Sequence, residues 1–279
     1  MDVAQHYAQA RAETENIIET YAPEIQQSQL LKSLLPAVGL RTRRAEDDSL
    51  PVGVSKFGGR PDVPSSFEWP YWEEYKGSYP LSFLCQINLA DVAAYDLDGL
   101  LPKTGILSFF LAHRDGWDCA YSREDRGGWR IYYFEEQELK RKSWPQELDD
   151  ITGIGCGQIE VIPIWTKCEH EARSTSTEEE FQQEIAFISE WCEFTRARSM
   201  HWIFGYPDEI QDDPRYFLAE PGTHYKDFKD KDNWLLLLQI SSDDEIDFDY
   251  CDNGRIYFVL HKDDLAARRF ENVVFDGQQ

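Results

Sequence analysis

The sequence has few cations, no closely paired cysteines and no long apolar segment. Its 28 Lys and Arg residues stand against 52 Asp and Glu residues, so the formal net charge at pH 7 is −24. A surface this negative repels nucleic acids and anionic membranes, because both are bound through clustered cations. The longest aliphatic run, Leu235 to Leu238, is far shorter than the ~20 apolar residues of a membrane-spanning helix. We therefore expect neither a nucleic-acid partner nor a membrane partner.

The six cysteines form no CxxC pair, and several, such as Cys85 and Cys192, lie inside apolar runs. Disulfide frameworks are typical of short secreted chains, whereas this chain has 279 residues. The segment from Met1 to Glu15 is polar and lacks the apolar core of a signal peptide. These features predict free thiols and a cytoplasmic location.

The N-terminal segment and one later segment have helical patterns. Residues 3–35 carry apolar residues at helical spacing, with a break at Pro23. Thr177 and Glu180 form a capping-box pattern at the start of a helix over about residues 177–199. In that helix one apolar face consists of Phe181, Ile185, Ile188 and Cys192. We expect residues 1–45 to be a helical segment packed on a single domain over residues 46–279.

The rest of the sequence favours short strands over helices. The stretch from Pro51 to Pro80 is rich in Pro, Gly and aromatic residues, which predicts an ordered loop covering the core. Further runs rich in β-branched and aromatic residues are bounded by turn residues, and a short helix follows them at Asp263–Phe270. These strand predictions cover residues 81–89, 105–112, 128–135, 157–165, 234–241 and 254–261. Their short connections indicate antiparallel pairing, so we predict an α+β fold with a mostly antiparallel sheet.

An internal repeat is visible in two of these strand pairs. Residues 84–87, Leu-Cys-Gln-Ile, precede a Gly-initiated strand at residue 105, and residues 237–240, Leu-Leu-Gln-Ile, precede another at residue 254. The alternatives are a chance match of composition and a duplication. A duplication would give two similar halves sharing one core, with the ribbons at residues 81–111 and 234–260 in one body.

Several motifs, taken in order, resemble the YwqG-like bacterial proteins, a domain of unknown function. The resemblance spans residues 55–275 and rests on these segments: 55–61 (Ser-Lys-Phe-Gly-Gly-Arg-Pro, including Gly58, Gly59 and Pro61), Trp69-Pro70, 81–89, 101–103, Gly205-Tyr206-Pro207 with Gln211, 236–240, Asp252, Gly254 and Tyr257-Phe258. It implies a mixed α and antiparallel β fold, no accepted reaction and an immunity-like role. Two positions depart from the pattern, because Ser241 replaces an Asp and Tyr250 replaces a Trp.

No sequence motif supports a cofactor-binding site or a metal-binding site. The glycines at 153, 155 and 157 precede a strand pattern instead of the helix that a dinucleotide loop requires. Among the cysteines and histidines, only Cys168-x-His170 approaches the spacing of zinc ligands. The acidic loop from Asp243 to Asp252 lacks EF-hand spacing, so a solvated turn is favoured over a calcium site. We predict no cofactor and no metal ion.

Catalytic residues are equally unsupported. His113, His201 and His261 are the plausible acid–base groups, and none has a nucleophile at a recognisable spacing. We assign no catalytic residue, and we favour a non-enzymatic function.

Polar residues beside the apolar strands form the candidate ligand-binding set. Its members are Gln86, Gln211, Asp213, Gln239, Asp243, Asp252 and Tyr257. A buried glutamine amide needs hydrogen-bond partners, since an unpaired one costs roughly 1–3 kcal/mol. Two interpretations are open: the glutamines hold the loop at Gly205-Tyr206-Pro207, or they line a ligand cleft between two halves.

The charge favours a protein-binding function. Opposite charges accelerate encounter, so we expect a basic protein partner engaged by an acidic face, in an immunity-like role by analogy with the family. The alternative is a small-molecule-binding protein or hydrolase that uses the Gln and Asp cluster with a divalent cation.

Overall fold

The computed structural model describes residues 2–74, 77–112, 127–135, 138–148, 154–168, 177–215 and 231–279. Within these residues the α-helices are α1 (Val3–Tyr21), α2 (Glu24–Ser33), α3 (Leu89–Val92), α4 (Glu178–Arg198) and α5 (Lys262–Ala266). The strands are β1 (Leu35–Arg44), β2 (Lys56–Phe57), β3 (Asp62–Pro64), β4 (Tyr71–Glu74), β5 (Gly77–Pro80), β6 (Ser82–Asn88), β7 (Ile106–Leu111), β8 (Trp129–Phe134), β9 (Leu139–Arg141), β10 (Gly157–Thr166), β11 (Trp202–Ile203), β12 (Trp234–Ser241), β13 (Arg255–His261) and β14 (Val274–Gln278). The predicted α+β class is confirmed.

Ten of these strands form one sheet in the order β14-β13-β12-β11-β1-β10-β2-β6-β7-β8. Every neighbouring pair is antiparallel, as predicted. The long pair β1 and β10 lies at the centre, with four strands on each side. Two small ribbons, β3-β9 and β4-β5, lie outside this sheet.

The strand pairing has the same kind of irregularity on the two sides of the sheet. In β6 the pairing with β7 shifts between Phe83 and Cys85, and in β12 the pairing with β13 shifts between Leu236 and Leu238. Each irregularity lies at the leucine two residues before a glutamine, Gln86 in β6 and Gln239 in β12. The strand pairs that prompted the expected repeat therefore share a pairing pattern, and their origin by duplication stays a prediction.

The sheet curves until its two sides pack against each other. The rings of Phe109 in β7 and Phe258 in β13 lie 5.1 Å apart between centroids. At the edge strands, the indole N–H of Trp129 donates to the carbonyl oxygen of Val273 at 2.8 Å. Because these contacts join opposite sides of the strand order, the ribbons at residues 81–111 and 234–260 share one core, as the sequence predicts.

The Pro- and Gly-rich stretch covers one outer face of the sheet. The described residues of this stretch, 51–74 and 77–80, contain no α-helix and include the short strands β2 to β5. The ring of Phe67 stacks on Phe110 of β7 at 5.6 Å, and the indole N–H of Trp69 donates to the carbonyl of Leu81 at 2.9 Å. The expected ordered, aromatic loop is therefore present.

The N-terminal helices pack on α4. Ile18 of α1 and Leu30 of α2 share an apolar cluster with Phe187 and Trp191 of α4. The break predicted at Pro23 is confirmed, since α1 ends at Tyr21. No sequence pattern predicts β1, although it lies within residues 1–45 and forms the centre of the sheet.

The orientation of α4 is the reverse of what its apolar face implies. The capping box of Thr177 and Glu180 is confirmed. However, Phe187 and Trp191 are buried, whereas Phe181, Ile185 and Ile188 are 48%, 47% and 51% exposed. A core-facing helix normally buries its apolar stripe. Here the larger rings of the opposite face pack against α1 and α2 instead.

The C-terminal region differs in detail from the prediction. The helix expected over residues 263–270 ends as α5 at Ala266, and a separate 3-10 helix spans Phe270–Asn272. Arg268, between them, has a φ of 57°, in the left-handed region that interrupts a right-handed helix. The strands β11 and β14 have no sequence prediction. None of the helices in the described residues is long and apolar enough to cross a membrane.

Candidate functional site

Gln86 holds the loop that follows β2. Its side chain is fully buried, and its Oε1 accepts a hydrogen bond from the backbone N–H of Asp62 at 2.8 Å. Its Nε2 donates to the carbonyl of Val54 and to Oδ2 of Asp62, each at 2.8 Å. All of these partners belong to the chain itself, so the amide fixes the backbone at residues 54–62.

A buried group of charges surrounds this glutamine. Lys56 is fully buried, and its Nζ donates to Oδ1 of Asp47 and to the carbonyl of Arg60, each at 2.7 Å. Arg141 donates through Nε to Oδ1 of Asp62 at 3.0 Å. Burial raises the pKa of the Asp47 carboxyl, but hydrogen bonds from Lys56 and Arg60 outweigh it and leave this pKa below the ordinary value. The ionised pairs therefore connect β2, the following loop and β9.

Gln239 plays the same part in the other half of the sheet. Its side chain is fully buried, and its Oε1 accepts from the backbone N–H of Asp208 at 2.8 Å. The hydroxyl of Tyr257, opposite it on β13, donates to the carbonyl of Asp208 at 2.7 Å, and burial raises the Tyr257 pKa far above its ordinary value. Two residues of the predicted ligand set thus hold the loop that follows β11, as the structural interpretation expects.

The two glutamine-held loops have related sequences. One reads Phe57-Gly-Gly-Arg-Pro-Asp62 and the other Phe204-Gly-Tyr-Pro-Asp208. In each, the backbone N–H of the final Asp donates to the glutamine. Sequence reasoning missed Asp62 and Asp208, and this shared Phe-Gly…Pro-Asp pattern is the signal that could have found them.

Gln211 and Asp213 lie further along the second loop. The backbone N–H of Gln211 donates to Oε1 of Gln278 at 3.0 Å, and its Nε2 donates to the carbonyl of Gln279 at 3.1 Å. Asp213 is buried and accepts three hydrogen bonds from the guanidinium of Arg215, at 2.8 Å, 3.0 Å and 2.6 Å. Gln211 therefore attaches this segment to the C-terminal residues, whereas Asp213 pairs with Arg215 within the segment itself.

Asp243 is paired with His201 in the interior. Nδ1 of His201 accepts from the backbone N–H of Ser241 at 3.1 Å, so Nε2 carries the hydrogen that faces Oδ2 of Asp243 at 3.0 Å. The other oxygen of Asp243 accepts from the backbone N–H of Glu245 at 2.9 Å. Burial raises the Asp243 pKa, but the bonds from His201 and Glu245 outweigh it and hold this pKa below the ordinary value. Both ring nitrogens are engaged within the protein, which leaves the imidazole no position for a general base.

Asp252 lies in the turn between β12 and β13, away from that pair. It is exposed, and its φ of 61° falls in a run of left-handed residues from Cys251 to Asn253. Its Oδ1 accepts from the side chain of Asn253 at 3.4 Å. This geometry is that of a tight solvated turn. In the described residues no group of three or more His, Cys, Asp or Glu side chains is arranged to hold a metal ion.

The remaining motif residues shape the loops. Gly58 and Gly205 have positive φ angles, +54° and +67°, and a side chain at either would overlap neighbouring atoms. The carbonyls of Gly59 and Pro61 accept from the Trp144 indole and the Lys142 backbone, at 3.1 Å and 2.9 Å. The carbonyl of Tyr206 accepts from the Trp202 indole at 3.1 Å, Pro207 is buried beside it, and the N–H of Gly254 donates to the carbonyl of Tyr250 at 2.7 Å.

The predicted ligand set is therefore distributed over several places in the fold. Gln86 and Gln239 hold separate loops, and Asp243 and Asp252 occupy different parts of the acidic loop. Gly153, His113 and His170, which entered the motif and histidine arguments, lie outside the described residues. His261 accepts from the backbone N–H of Asp263 at 3.2 Å and caps α5.

A cavity of about 540 Å³ lies above the His201–Asp243 pair. The end of α4 forms one wall and the acidic loop forms the other. Arg41 donates through Nε to the carbonyl of Arg198 at 3.0 Å, and the guanidinium of Arg198 pairs with Glu13. Two of the three arginines of this cavity are thus engaged by the protein itself.

The apolar face of α4 that the sequence indicates is exposed in the structure. We define the α4 row as Phe181, Ile185, Ile188 and Cys192, all of which are exposed. Soluble proteins seldom expose contiguous apolar residues without a binding role. Glu178 and Glu184 lie one helical turn from Phe181 and flank the row.

The comparison with known families is compatible with the resemblance drawn from the motifs, and both indicate a domain of unknown function. The model of the Domain of unknown function (DUF1963) matches residues 55–278. The chain belongs to the DUF1963 family. Comparison with curated proteins finds no match. The matched range includes both glutamine-held loops and α4, while α1 and α2 precede it. The description of the family names no reaction.

Proposed function

We propose that this DUF1963 protein is a non-enzymatic protein-binding module that captures a basic partner on its acidic surface. The observation that carries the proposal is the α4 row, where the side chains of Phe181, Ile185 and Ile188 are about half exposed on a helix that contains six glutamates. An apolar row with an acidic border is suited to a partner that is apolar at its centre and cationic at its rim.

The chemistry of the predicted site supports a binding function over catalysis. Gln86, Gln239 and His201 direct their polar atoms to groups of the chain itself. A catalytic base or nucleophile needs a free position toward its substrate. The buried polar residues therefore serve the loops, and the exposed α4 row is the surface available to a partner.

The net charge of −24 supports a basic partner. Opposed electrostatic fields raise association rates roughly 10- to 1,000-fold, and salt removes this gain as the screening length falls to about 8 Å at physiological ionic strength. An immunity-like role against a basic toxin is one instance of such capture. The five free cysteines among the described residues support the cytoplasmic location proposed with it.

Affinity capture from lysate of the source cells tests the proposal. We expect the full chain to retain a protein of high isoelectric point, identified by mass spectrometry, at 50 mM NaCl but not at 500 mM. The variant Ile185→Asp/Ile188→Asp should lose it. Retention that is equal at both salt concentrations, or unchanged in the variant, would contradict the proposal.

The cavity above the His201–Asp243 pair favours one other function, the binding of a small polar molecule. Its volume of about 540 Å³ is within the usual range for ligand pockets, about 300–1,000 Å³. A thermal-shift screen of polar metabolites tests this candidate. Stabilisation by a compound that disappears in the Ser242→Trp variant, which fills the cavity from the acidic loop, would support it.

The matched irregularities in β6 and β12 and the two related loops support the proposal of an internal repeat. Each half would then consist of a two-residue strand, a glutamine-held loop and a three-stranded ribbon. In that case α4 would be an addition to one half only. It lies between the two related loops in the chain and has no counterpart among the described residues of the first half.

A further inference from the structure

The ten-stranded sheet has two edges, β14 and β8, and they differ in how they are covered. At β14 the side chain of Gln278 accepts from the backbone N–H groups of Ile210 and Gln211, each at 3.0 Å. Its amide also donates to the carbonyl of Asp212, so residues 210–212 lie against the end of that strand. Among the described residues no strand or loop pairs with the backbone of β8 on the side away from β7. The edge of β8 is therefore the one available for pairing.

The pairing with β7 determines which backbone groups of β8 point outward. The N–H of Ala112 donates to the carbonyl of Gly128. In the same register Ile131 lies opposite Phe109. In an antiparallel pair, hydrogen-bonded residues alternate with residues whose N–H and C=O groups face away from the neighbouring strand. The backbone groups of Trp129 and Ile131 therefore face the outer edge of the sheet.

Three of these outward groups have no hydrogen-bond partner in the described part of the chain. They are the N–H of Trp129 and both the N–H and the C=O of Ile131. The carbonyl of Trp129 differs, because it accepts from the guanidinium of Arg130 at 2.7 Å. Trp129 and Ile131 are only 5% and 7% exposed. Shielded backbone groups are normally paired, so this edge requires an occupant that offers both a donor and an acceptor.

A cavity of about 680 Å³ lies along the same edge. Residues 129–133 form one wall, and residues 270–274, which lead into β14, form another. The indole N–H of Trp129 donates to the carbonyl of Val273 and joins the two walls. The volume is within the range of about 300–1,000 Å³ that is usual for ligand pockets. The cavity therefore has room for a short segment of chain beside the outward groups of β8.

The side chains around the cavity favour an uncharged occupant with apolar residues. The charged lining residues are two cations, Arg130 and Arg268, and two acids, Asp264 and Glu271, so the charges balance. Arg130 bonds to backbone carbonyls and Arg268 pairs with Glu135 at 3.1 Å, so neither cation awaits an anionic ligand. Aromatic side chains are the largest remaining group in the lining: Trp129, Tyr132, Tyr133, Trp234 and Phe270.

We propose that the edge of β8 binds an extended peptide segment of another protein, which joins the sheet as an outer strand. The backbone of the peptide pairs with Trp129 and Ile131, and every second side chain packs on the aromatic lining. A helix cannot take this place, because its backbone groups are already used within the helix. This surface is separate from the α4 row, and the proposal does not rest on the proposed function.

A second copy of the chain is a poorer occupant of this edge. Pairing β8 with the β8 of another copy would bring together two bodies that each carry a net charge of −24. Such bodies repel each other, and the uncharged cavity offers no compensating cation. Self-association through β8 is therefore an outcome that counts against the inference.

Amide hydrogen exchange, followed by NMR, tests the edge in the unaltered protein. The amides of Arg130 and Tyr132 bond to β7, so we expect the amide of Ile131 to exchange at least about 10-fold faster than either. The probe is an uncharged peptide of seven alternating Val and Thr residues. At 1 mM it should slow the Ile131 amide about 10-fold, which corresponds to a Kd of about 0.1 mM. Equal protection of the three amides in the free protein, or no slowing at Ile131 with the peptide, would overturn the inference.

A pair of variants at Ile131 separates the backbone from the side chain. Ile131→Pro removes the outward N–H and leaves the pairing with β7 intact, because proline is tolerated at a sheet edge. Ile131→Ala is the matched control, since it also loses the side chain but keeps the N–H. We expect the peptide, followed by fluorescence anisotropy, to bind Ile131→Pro at least 10-fold more weakly than Ile131→Ala. Equal affinities would contradict the pairing.

A second probe does not depend on the folding of the proline variant. The same Val and Thr peptide, N-methylated at every residue, cannot donate hydrogen bonds from its backbone. It should not bind the unaltered chain at 1 mM, and binding as tight as that of the unmethylated peptide would overturn the inference. If Ile131→Pro does not fold, this comparison and the exchange measurement decide the question.

Other occupants give different results. A proline-rich peptide would dock on the aromatic side chains without pairing, so its binding with unchanged exchange at Ile131 would show that the inference is wrong. A dimer in light scattering that the Val and Thr peptide dissociates would identify a second copy as the occupant, also against the inference. The variant Ile185→Asp/Ile188→Asp should bind the peptide as the unaltered chain does. The proposed function and this inference can therefore fail separately.

Discussion

Gly58 and Gly99 have similar backbone conformations in different surroundings. Their φ angles are +54° and +62°, which non-glycine residues adopt at a cost of about 1–2 kcal/mol. A methyl group at Gly58 would overlap the carbonyl oxygen of Gly155, whereas at Gly99 no atom lies within 4 Å. Backbone conformation alone therefore does not determine how much each glycine contributes to the free energy of unfolding.

We expect Gly99→Ala to lower the free energy of unfolding by about 1–2 kcal/mol. Gly58→Ala should lower it by at least about 2 kcal/mol more, because a backbone carbonyl cannot move aside as a side chain can. Urea denaturation of both variants measures the difference. Equal destabilisation would show that the contact between the first glutamine-held loop and residue 155 is not close.

Gln86 offers a second comparison, between a buried amide and an exposed one. Gln86→Leu keeps the volume but leaves the N–H of Asp62 and the carbonyl of Val54 without their partner. Each orphaned group costs roughly 1–3 kcal/mol, so we expect a loss of about 2–4 kcal/mol in urea denaturation. Gln183→Leu, on the exposed side of α4, is the control and should change stability by less than about 0.5 kcal/mol.

The carboxyl of Asp276 should make stability depend on pH. Burial raises its pKa to about 6, although a hydrogen bond from Gln278 acts in the opposite direction. The folded protein thus binds this proton more tightly than the unfolded chain. The stabilisation is fully present below about pH 4 and is lost as the pH rises through 6. A rise from 3.8 to about 6 corresponds to roughly 3 kcal/mol at most.

Asp276→Asn removes this titration. We expect the variant to be more stable than the unaltered protein above pH 6, with the difference shrinking toward zero between pH 6 and pH 4. Chemical denaturation at intervals of half a pH unit measures it. A difference that is constant over this range, or that grows toward acid pH, would contradict the assignment.

At the scale of elements, α4 shows where sequence patterns stop being informative. The helix and its capping box are predictable, because spacing and capping are local properties. Its orientation is not, because both faces are apolar: one carries Phe181, Ile185 and Ile188, and the other carries Phe187 and Trp191. Which face is buried depends on α1 and α2, whose position no local pattern encodes.

Substitutions on the two faces of α4 test this orientation. Phe187→Ala should cost about 3–5 kcal/mol, since it leaves a cavity between the helices. Ile188→Ala, the adjacent residue on the exposed row, should cost less than about 0.5 kcal/mol. Thermal or urea denaturation measures both. A larger cost at Ile188 than at Phe187 would mean that the row faces the core.

Strands divide in the same way between predictable and unpredictable elements. The strands β6, β7, β12 and β13 are continuous apolar runs, and their residues were predicted almost to their ends. By contrast, β1 contains a proline, a glycine and three arginines, and β11 has two residues. Such strands exist because neighbours on both sides supply hydrogen bonds, and that information is spread over distant parts of the chain.

The candidate site follows the same rule. Gln86 and Gln239 are noticeable in the sequence because an amide is unusual in an apolar strand, and the structure provides each with partners. Their partners Asp62 and Asp208 are ordinary loop residues. The shared cleft was predicted from the equivalence of the two glutamines, but each glutamine faces the loop of its own half of the sheet.

At the scale of the whole molecule, the net charge of −24 acts on the fold as well as on partners. Repulsion among carboxylates destabilises a compact state, and salt weakens it as the screening length falls from about 30 Å at 0.01 M to about 10 Å at 0.1 M. Ion pairs stabilise the compact state. Many of them are exposed, however, such as Arg44 with Asp247, and exposed pairs contribute little to stability.

We therefore expect NaCl to raise the Tm at pH 7 by roughly 2–6 °C between 0.01 M and 0.3 M, which corresponds to about 1–2 kcal/mol. Scanning calorimetry measures it. The control is the same titration near pH 4.5, the isoelectric point from the sequence, where net repulsion vanishes and the curve should be flat. A Tm that falls with salt at pH 7 would show that the buried pairs around Lys56 outweigh the repulsion. The acidic surface would then be locally compensated, and the steering that favours a basic partner would be weaker for the same reason.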